Sequence, residues 1–285
     1  MHGYFQKNSF TKPNGQLLKW VGNKYRFAEQ IASTFPSFNN YYEPFVGTGA
    51  VLATIQNHIS FASDTLSPLI NFWKILQKSP NALIEYYSSN ISEYLKAPQK
   101  NYYKFLDHYN SQPNAFDLML VSRTCYGGVI RFTMDGKIST PPGPHNPISP
   151  DSFKLRALEW SERIKKVTFK HCDYSSLMSH AQKGDLIYCD PPYIDSQKIL
   201  YGAQSFKLDE LIESISAAKS RGVYIALSID GRKFSGKKTI ALDIPANLFK
   251  TEVYLKSGSS MLKRFQKRGQ EMVGEDVEDR LLLSW

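Results

Sequence analysis

The chain has 285 residues, 42% of them hydrophobic and 13% aromatic, enough for one large core or two modest ones, which excludes a disordered tail. Lys and Arg exceed Asp and Glu by 35 − 26 = 9, and the pI near 9.2 sets up a field that attracts polyanions, either nucleic acid or a small anionic substrate. Three cysteines, Cys125, Cys172 and Cys189, form no CxxC pair and no even set, which argues against metal and disulfides and for a reducing compartment; without a signal pattern or a bilayer-length apolar run, a cytoplasmic protein without membrane contact is expected.

The first elements alternate: a helix from about Lys24 to Ser33, the strand Tyr41-Tyr42-Glu43, a helix from Ala50 to Asn57 and the strand Ile59-Ser60-Phe61-Ala62, the start of a βαβ unit. From Leu69 to about Asn110 the pattern becomes helical, broken by Pro80 and Pro98. Its tyrosines (Tyr86, Tyr87, Tyr94, Tyr102, Tyr103, Tyr109) read as packing residues rather than base-stacking platforms. A helix from Ala115 to about Thr124 leads into Tyr126-Gly127-Gly128, and Arg131 to Thr140 read as a hairpin turning at Asp135-Gly136. After a proline-rich stretch and a helix near 151 to 164, the rhythm resumes with strands near Val167 to Lys170, Asp185 to Cys189 and Val223 to Ser228. Helices near 173 to 182 and 207 to 220 separate them. Late segments near 239 to 243, 251 to 256 and 280 to 284 read as strands without intervening helices, which suits an antiparallel edge on a mostly parallel sheet. The expectation is an α/β domain made of residues 1–69 and 155–285, with a mainly helical module and its hairpin inserted at 70–154.

Three motifs carry chemistry. Asp190-Pro191-Pro192-Tyr193 follows the apolar run Leu186-Ile187-Tyr188-Cys189, which as a buried parallel strand delivers it to the carboxyl edge of the sheet, where such sheets bind ligands. The prolines stiffen the turn, and a carboxylate beside an aromatic ring can hold a planar group bearing an amine; an ordinary strand exit is the competing reading. Glu43-Pro44-Phe45-Val46-Gly47-Thr48-Gly49 ends a strand in a glycine turn that lets a ligand approach the backbone, or serves as a turn alone. A dinucleotide fingerprint fails because Leu52 stands where the third glycine belongs. Asp64, 17 residues after Gly47, is near the spacing at which an acidic residue meets a ribose diol. In Lys19-Trp20-Val21-Gly22-Asn23-Lys24, Lys24 can pair with a cofactor carboxylate or stand solvated at a helix start.

In this order the motifs resemble the α-class (D12 class) DNA adenine-N6 methyltransferases, the group that includes the Dam and EcoRV-system enzymes, over nearly the whole chain. The stretch from Ser122 to Phe132, with Thr133 after it, is similar to the family's N-R-x-x-[FY]-N-G-x-x-R-[FY]-N pattern, departing at Gly127 and Thr133. The resemblance implies a Rossmann-like methyltransferase fold and S-adenosyl-L-methionine as cofactor. Trp20, Gly22 and Lys24 would lie at its methionine end, Glu43, Pro44, Phe45, Gly47 and Gly49 along its middle, Asp64 on the ribose, and Asp173 and Tyr174 at the adenine, with Asp190 a further cofactor contact. No metal is implied.

The implied reaction is methyl transfer to adenine N6 in double-stranded DNA. That nitrogen's lone pair is delocalised into the ring, so Asp190 and the Pro191 carbonyl would accept its two hydrogens and aim the lone pair at the methyl group, with Pro192 fixing the turn. The base must be flipped out, with Tyr193 stacking on it for about 1–3 kcal/mol. Candidate DNA contacts are Arg123, Tyr126, Arg131 as base reader, and Lys137, with phosphate contacts from Lys263, Arg264, Lys267 and Arg268. A second basic cluster, Arg232-Lys233 with Lys237-Lys238, and Lys256 are further candidates for phosphate. Monomeric action is the default expectation, and a cognate restriction endonuclease is a possible partner. A methyltransferase of RNA or of a protein amide, and a non-catalytic DNA-binding relative, are the alternatives.

Overall fold

A computed structural model of the chain describes residues 10–192, 206–233, 244–245, 247–259 and 276–285. The strand expected near 239–243 therefore falls outside the described residues.

Before the first strand, the Asn23 carboxamide accepts from the Tyr25 amide at 2.7 Å. It closes a 3-10 turn, Lys24–Arg26, and the helix expected from Lys24 begins only at α1 (Ala28–Ser33). β1 (Tyr41–Glu43) leads to α2 (Ala50–Thr54) and β2 (Ser60–Asp64). α2 is shorter than expected, and Asn57, which the sequence places in it, has a φ of 73° that no helix continues through. α3 (Ser67–Lys78), α4 (Pro80–Lys96) and α5 (Pro98–Ser111) follow, with Pro80 and Pro98 each at the first helical position, where the missing N–H costs nothing. α6 (Ala115–Thr124) is capped by Asn114, whose side chain accepts from the Asp117 amide, and α7 (Pro150–Arg163) by Ser149. β3 (Val167–His171), α8 (Tyr174–Met178), β4 (Leu186–Cys189), α9 (Leu208–Ser220) and β5 (Tyr224–Lys233) complete the parallel part. β6 (Thr251–Ser259) and β7 (Asp276–Leu283) close the chain.

The strands form a sheet in the order β3-β2-β1-β4-β5-β7-β6. The first five are parallel, and β7 runs antiparallel between β5 and β6. The order reverses between β1 and β4, the switch point at which a Rossmann-like sheet opens a crevice beyond its strand ends. Glu43 and Asp190 stand there, each at the end of its strand.

Both faces of the sheet are covered, as its apolar strands demand. On one face the core runs from Tyr41 and Tyr188 through α1 to α3 into α4 to α7 without a break. Trp73 of α3, fully buried, stacks on Trp160 of α7 at 5.6 Å and Phe169 of β3 at 6.0 Å. The other face buries Ile187, Ile225, Leu177 and Ile215 beneath α8 and α9. Tyr87, Tyr94, Tyr102 and Tyr109 are buried, Tyr86 is half-buried and Tyr103 is exposed, so the tyrosines of α4 and α5 serve mainly as packing.

Candidate active site

The glycine turn after β1 is built by its backbone. Gly47 and Gly49 have φ of 45° and 61°, and a Cβ at Gly49 would stand 3.2 Å from the Trp73 ring. Trp73 Nε1 donates to the Gly47 carbonyl at 3.0 Å, and the Val46 amide donates to Ser63 at 2.9 Å, fixing the turn against β2. Asp64, at the end of β2, accepts from the Leu66 amide at 2.9 Å and the Gly47 amide at 3.3 Å. Burial pushes its carboxyl above the usual range, with these amides pulling the other way.

One wall is aromatic. Phe45 stacks on Tyr174 at 5.1 Å, and Phe206 meets both edge-on at 6.0 and 6.1 Å. Asp173 caps α8 by accepting from the Ser175 amide at 2.9 Å. Phe206 carries no sequence signal of its own and was missed; only its place against Phe45 and Tyr174 shows it.

A second group of lining residues is charged. Lys24 is buried, and its Nζ lies 2.7 Å from Asp190 Oδ1, 3.9 Å from Asp279 Oδ2 and 3.0 Å from the Gly22 carbonyl to which it donates. The lysine the sequence offered to a cofactor carboxylate or to solvent thus rests on Asp190. Burial pushes the Asp190 carboxyl up to about 6, with Lys24 holding it down and Asp279 adding to the rise. Glu43 is buried and accepts from the Tyr41 hydroxyl at 2.6 Å; burial pushes it up to about 8 against that bond. Asn23 has its carboxamide oriented by the Tyr25 amide, which leaves Nδ2 buried without a partner.

These walls enclose a cavity of about 480 Å³, the size of a small-molecule site. Trp20, Gly22, Lys24, Glu43, Pro44, Phe45, Gly47, Asp64, Asp173, Tyr174, Asp190, Pro191 and Pro192 all line it; Gly49 stands behind, against Trp73. Tyr193 lies outside the described residues. Among the described residues no cluster of His, Cys, Asp and Glu could hold a metal, and no helix is long and apolar enough to cross a membrane.

The candidate DNA contacts divide. Arg123 is a correction: it is 3% exposed, and its guanidinium donates to the carbonyls of Gln16 at 3.1 Å and Leu17 at 2.8 Å. It holds the segment before Trp20 in place and cannot reach DNA. The hairpin forms as expected, with Phe132 bridged to Ile138 and Gly136 at φ 79°. Asn110 of α5 bonds both peptide groups of Ile138, at 2.8 and 2.9 Å, and bolts the hairpin to the helix. Arg131 and Lys137 are exposed on it, Lys137 paired with Asp135 at 3.3 Å, and Tyr126 is 39% exposed. Lys263, Arg264, Lys267, Arg268, Lys237 and Lys238 lie outside the described residues, as do the side chains of Arg232, Lys233 and Lys256.

Residues 20–236 match the family model of the D12 class N6 adenine-specific DNA methyltransferases. The chain is 27% identical over 234 residues to a DNA adenine methylase of Vibrio cholerae, covering 76% of this chain and 82% of that protein. It is 26% identical over 212 residues to the DNA adenine methylase of Escherichia coli K12, 70% and 73% of the two chains. It is also 28% identical over 231 residues to a DNA N-6-adenine-methyltransferase of Escherichia phage P1; this covers 75% of the chain but 30% of the phage protein. The match, from Trp20 to residue 236, takes in the cavity residues from Trp20 to Phe206, and on it the chain belongs to the D12 class N6 adenine-specific DNA methyltransferases.

Proposed function

We propose that the cavity binds S-adenosyl-L-methionine and that Asp190 presents the N6 amine of an adenine flipped out of double-stranded DNA. The observation that carries this reading is the Asp190 carboxylate, at the end of β4, on the wall of a cavity lined also by the aromatic box of Phe45, Tyr174 and Phe206. The residues fit the cofactor. An aromatic box suits its adenine, the Asp64 carboxylate its ribose hydroxyls, and the unpartnered Nδ2 of Asn23 is a donor for its amino-acid end. When bound it supplies an electrophilic methyl group.

The protein's part is to prepare the amine. Near neutral pH, above about 6, Asp190 is mostly ionised and can accept one N6 hydrogen while the Pro191 carbonyl accepts the other. This draws the lone pair out of conjugation and into line. As the nitrogen gains the methyl it becomes acidic, and Asp190 is placed to take the excess proton. Glu43, pushed up to about 8, is mostly neutral at that pH and adds little negative charge beside Asp190.

Residues 70–154 are proposed as the target-recognition part and 1–69 with 155–285 as the catalytic part. The exposed, rigidly held hairpin with Arg131 and Lys137 supports this division. Action as a monomer in the cytoplasm fits a single-base modification, and a restriction endonuclease acting on the same site is a candidate partner.

Asp190→Ala tests the reading. Methyl transfer to duplex DNA is lost while calorimetric affinity for S-adenosylmethionine is largely kept. Full turnover by the variant, or transfer by the wild type to RNA or protein instead, would refute it. A wild type with no affinity for S-adenosylmethionine would point to a non-catalytic DNA-binding protein.

A further inference from the structure

The buried Lys24 ammonium donates to the Gly22 carbonyl at 3.0 Å, lies 2.7 Å from Asp190 and has Asp279 at the longer ion-pair distance of 3.9 Å. Asp279 belongs to no motif. It reaches this place because β7 is antiparallel. Asp279 stands opposite Asp230 on β5, near the start of its own strand, and an antiparallel strand begins at the edge where its parallel neighbours end. Asp190, beyond the end of β4, is at that same edge. The side chains of Asp190 and Asp279 are 19% and 15% exposed, and Lys24 is 4% exposed, so the three charges interact with little screening by solvent.

A lone ammonium on a buried carboxylate makes a tight pair. Such a carboxylate is a weak acceptor for a further hydrogen and a poor base, because its charge is already compensated. A second carboxylate on the same ammonium divides that compensation. We propose that Asp279 is a positioning residue for methyl transfer: it shares the Lys24 ammonium with Asp190 and so keeps the Asp190 carboxylate available to the target amine. The inference rests on the reading of Asp190 as the amine-binding carboxylate.

Among the described residues, the other ionisable groups around Asp190 are Glu43 of β1 and Tyr188 and Cys189 of β4, all buried. Glu43 is pushed up to about 8; the Tyr188 hydroxyl and the Cys189 thiol are pushed up by burial. Asp279 is therefore the second carboxylate beside the Lys24 ammonium.

The test uses Asp279→Asn and Asp279→Glu in the full chain, each checked for unchanged thermal unfolding. The Asp190 carboxyl is titrated by carbon NMR without cofactor, and kcat is measured against pH. In Asp279→Asn, the Asp190 midpoint and the acid limb of kcat both move to lower pH, and plateau kcat falls several-fold. Affinity for S-adenosylmethionine by calorimetry is unchanged. Asp279→Glu, which keeps the charge, returns the midpoint toward the wild-type value. An Asp190 midpoint that does not move in Asp279→Asn overturns the proposal, as does a loss of kcat that leaves the acid limb in place. A wild type that methylates no adenine defeats the reading of Asp190 instead, and the NMR titration still decides whether Asp279 shares Lys24.

Discussion

The Lys24 ammonium lies 2.7 Å from Asp190 Oδ1, joining a residue just ahead of α1 to the turn that follows β4. A carboxylate this buried would ordinarily hold its proton through neutral pH; Lys24 restrains the rise, and the group titrates near 6.

The first prediction concerns pH. Only ionised Asp190 accepts the amine hydrogen, so kcat rises with pH through about 6 and levels off above it. Single-turnover methylation of a duplex oligonucleotide across this interval measures it, and a flat profile through mildly acidic pH would contradict the assignment.

Lys24→Met removes the cation and leaves Asp190 and Asp279 facing each other. Breaking a buried pair from one side costs about 3–5 kcal/mol. The sign with pH follows from linkage. Asp190 titrates in the fold well above its ordinary value, and further above it without Lys24, so the folded state binds more protons than the unfolded chain. Stability therefore falls as pH rises through that interval. The variant's deficit in urea unfolding should be smallest in mild acid and largest near neutral pH.

Arg123→Met tests the correction to its role. Its loss leaves the Leu17 carbonyl short of a donor, at about 1–3 kcal/mol for a buried group, while the Gln16 carbonyl keeps Arg156 at 3.0 Å. Urea unfolding should register this, while the salt dependence of DNA binding stays as in the wild type, since no phosphate contact is lost.

Arg131→Ala, on the exposed face of the hairpin, should relax discrimination at one base position by about 1–3 kcal/mol. Competition between oligonucleotides differing at single positions measures it. Weaker, more salt-sensitive binding with unchanged preference would move Arg131 to the phosphates.

Gly49→Ala places a Cβ at φ 61° and 3.2 Å from the Trp73 ring. The left-handed backbone alone costs about 1–2 kcal/mol, so a lower melting temperature is expected together with weaker cofactor binding as the turn shifts.

Much of this was legible because it is local. Pro80 and Pro98 mark helix starts by their missing N–H, Asp135-Gly136 marks a hairpin by its turn chemistry, and the spacing of Glu43, Gly47 and Asp64 follows from a strand, a turn and a strand in succession. Phe206 was not legible, since nothing near it in the chain signals a ring that must meet Phe45 and Tyr174. Arg123 was misread as a surface cation because an arginine beside a glycine-rich turn looks the same whether it faces DNA or the carbonyls of Gln16 and Leu17.

The sequence by itself determined the alternation of helix and strand and the order of the motifs, all written in hydrophobic period and turn residues over a few positions. Only the tertiary structure decided where the charges go. That Lys24 rests on Asp190, that Asp279 shares it and that Arg123 turns inward depend on which distant segments the sheet brings to one edge, and burial there requires each charge to have a partner.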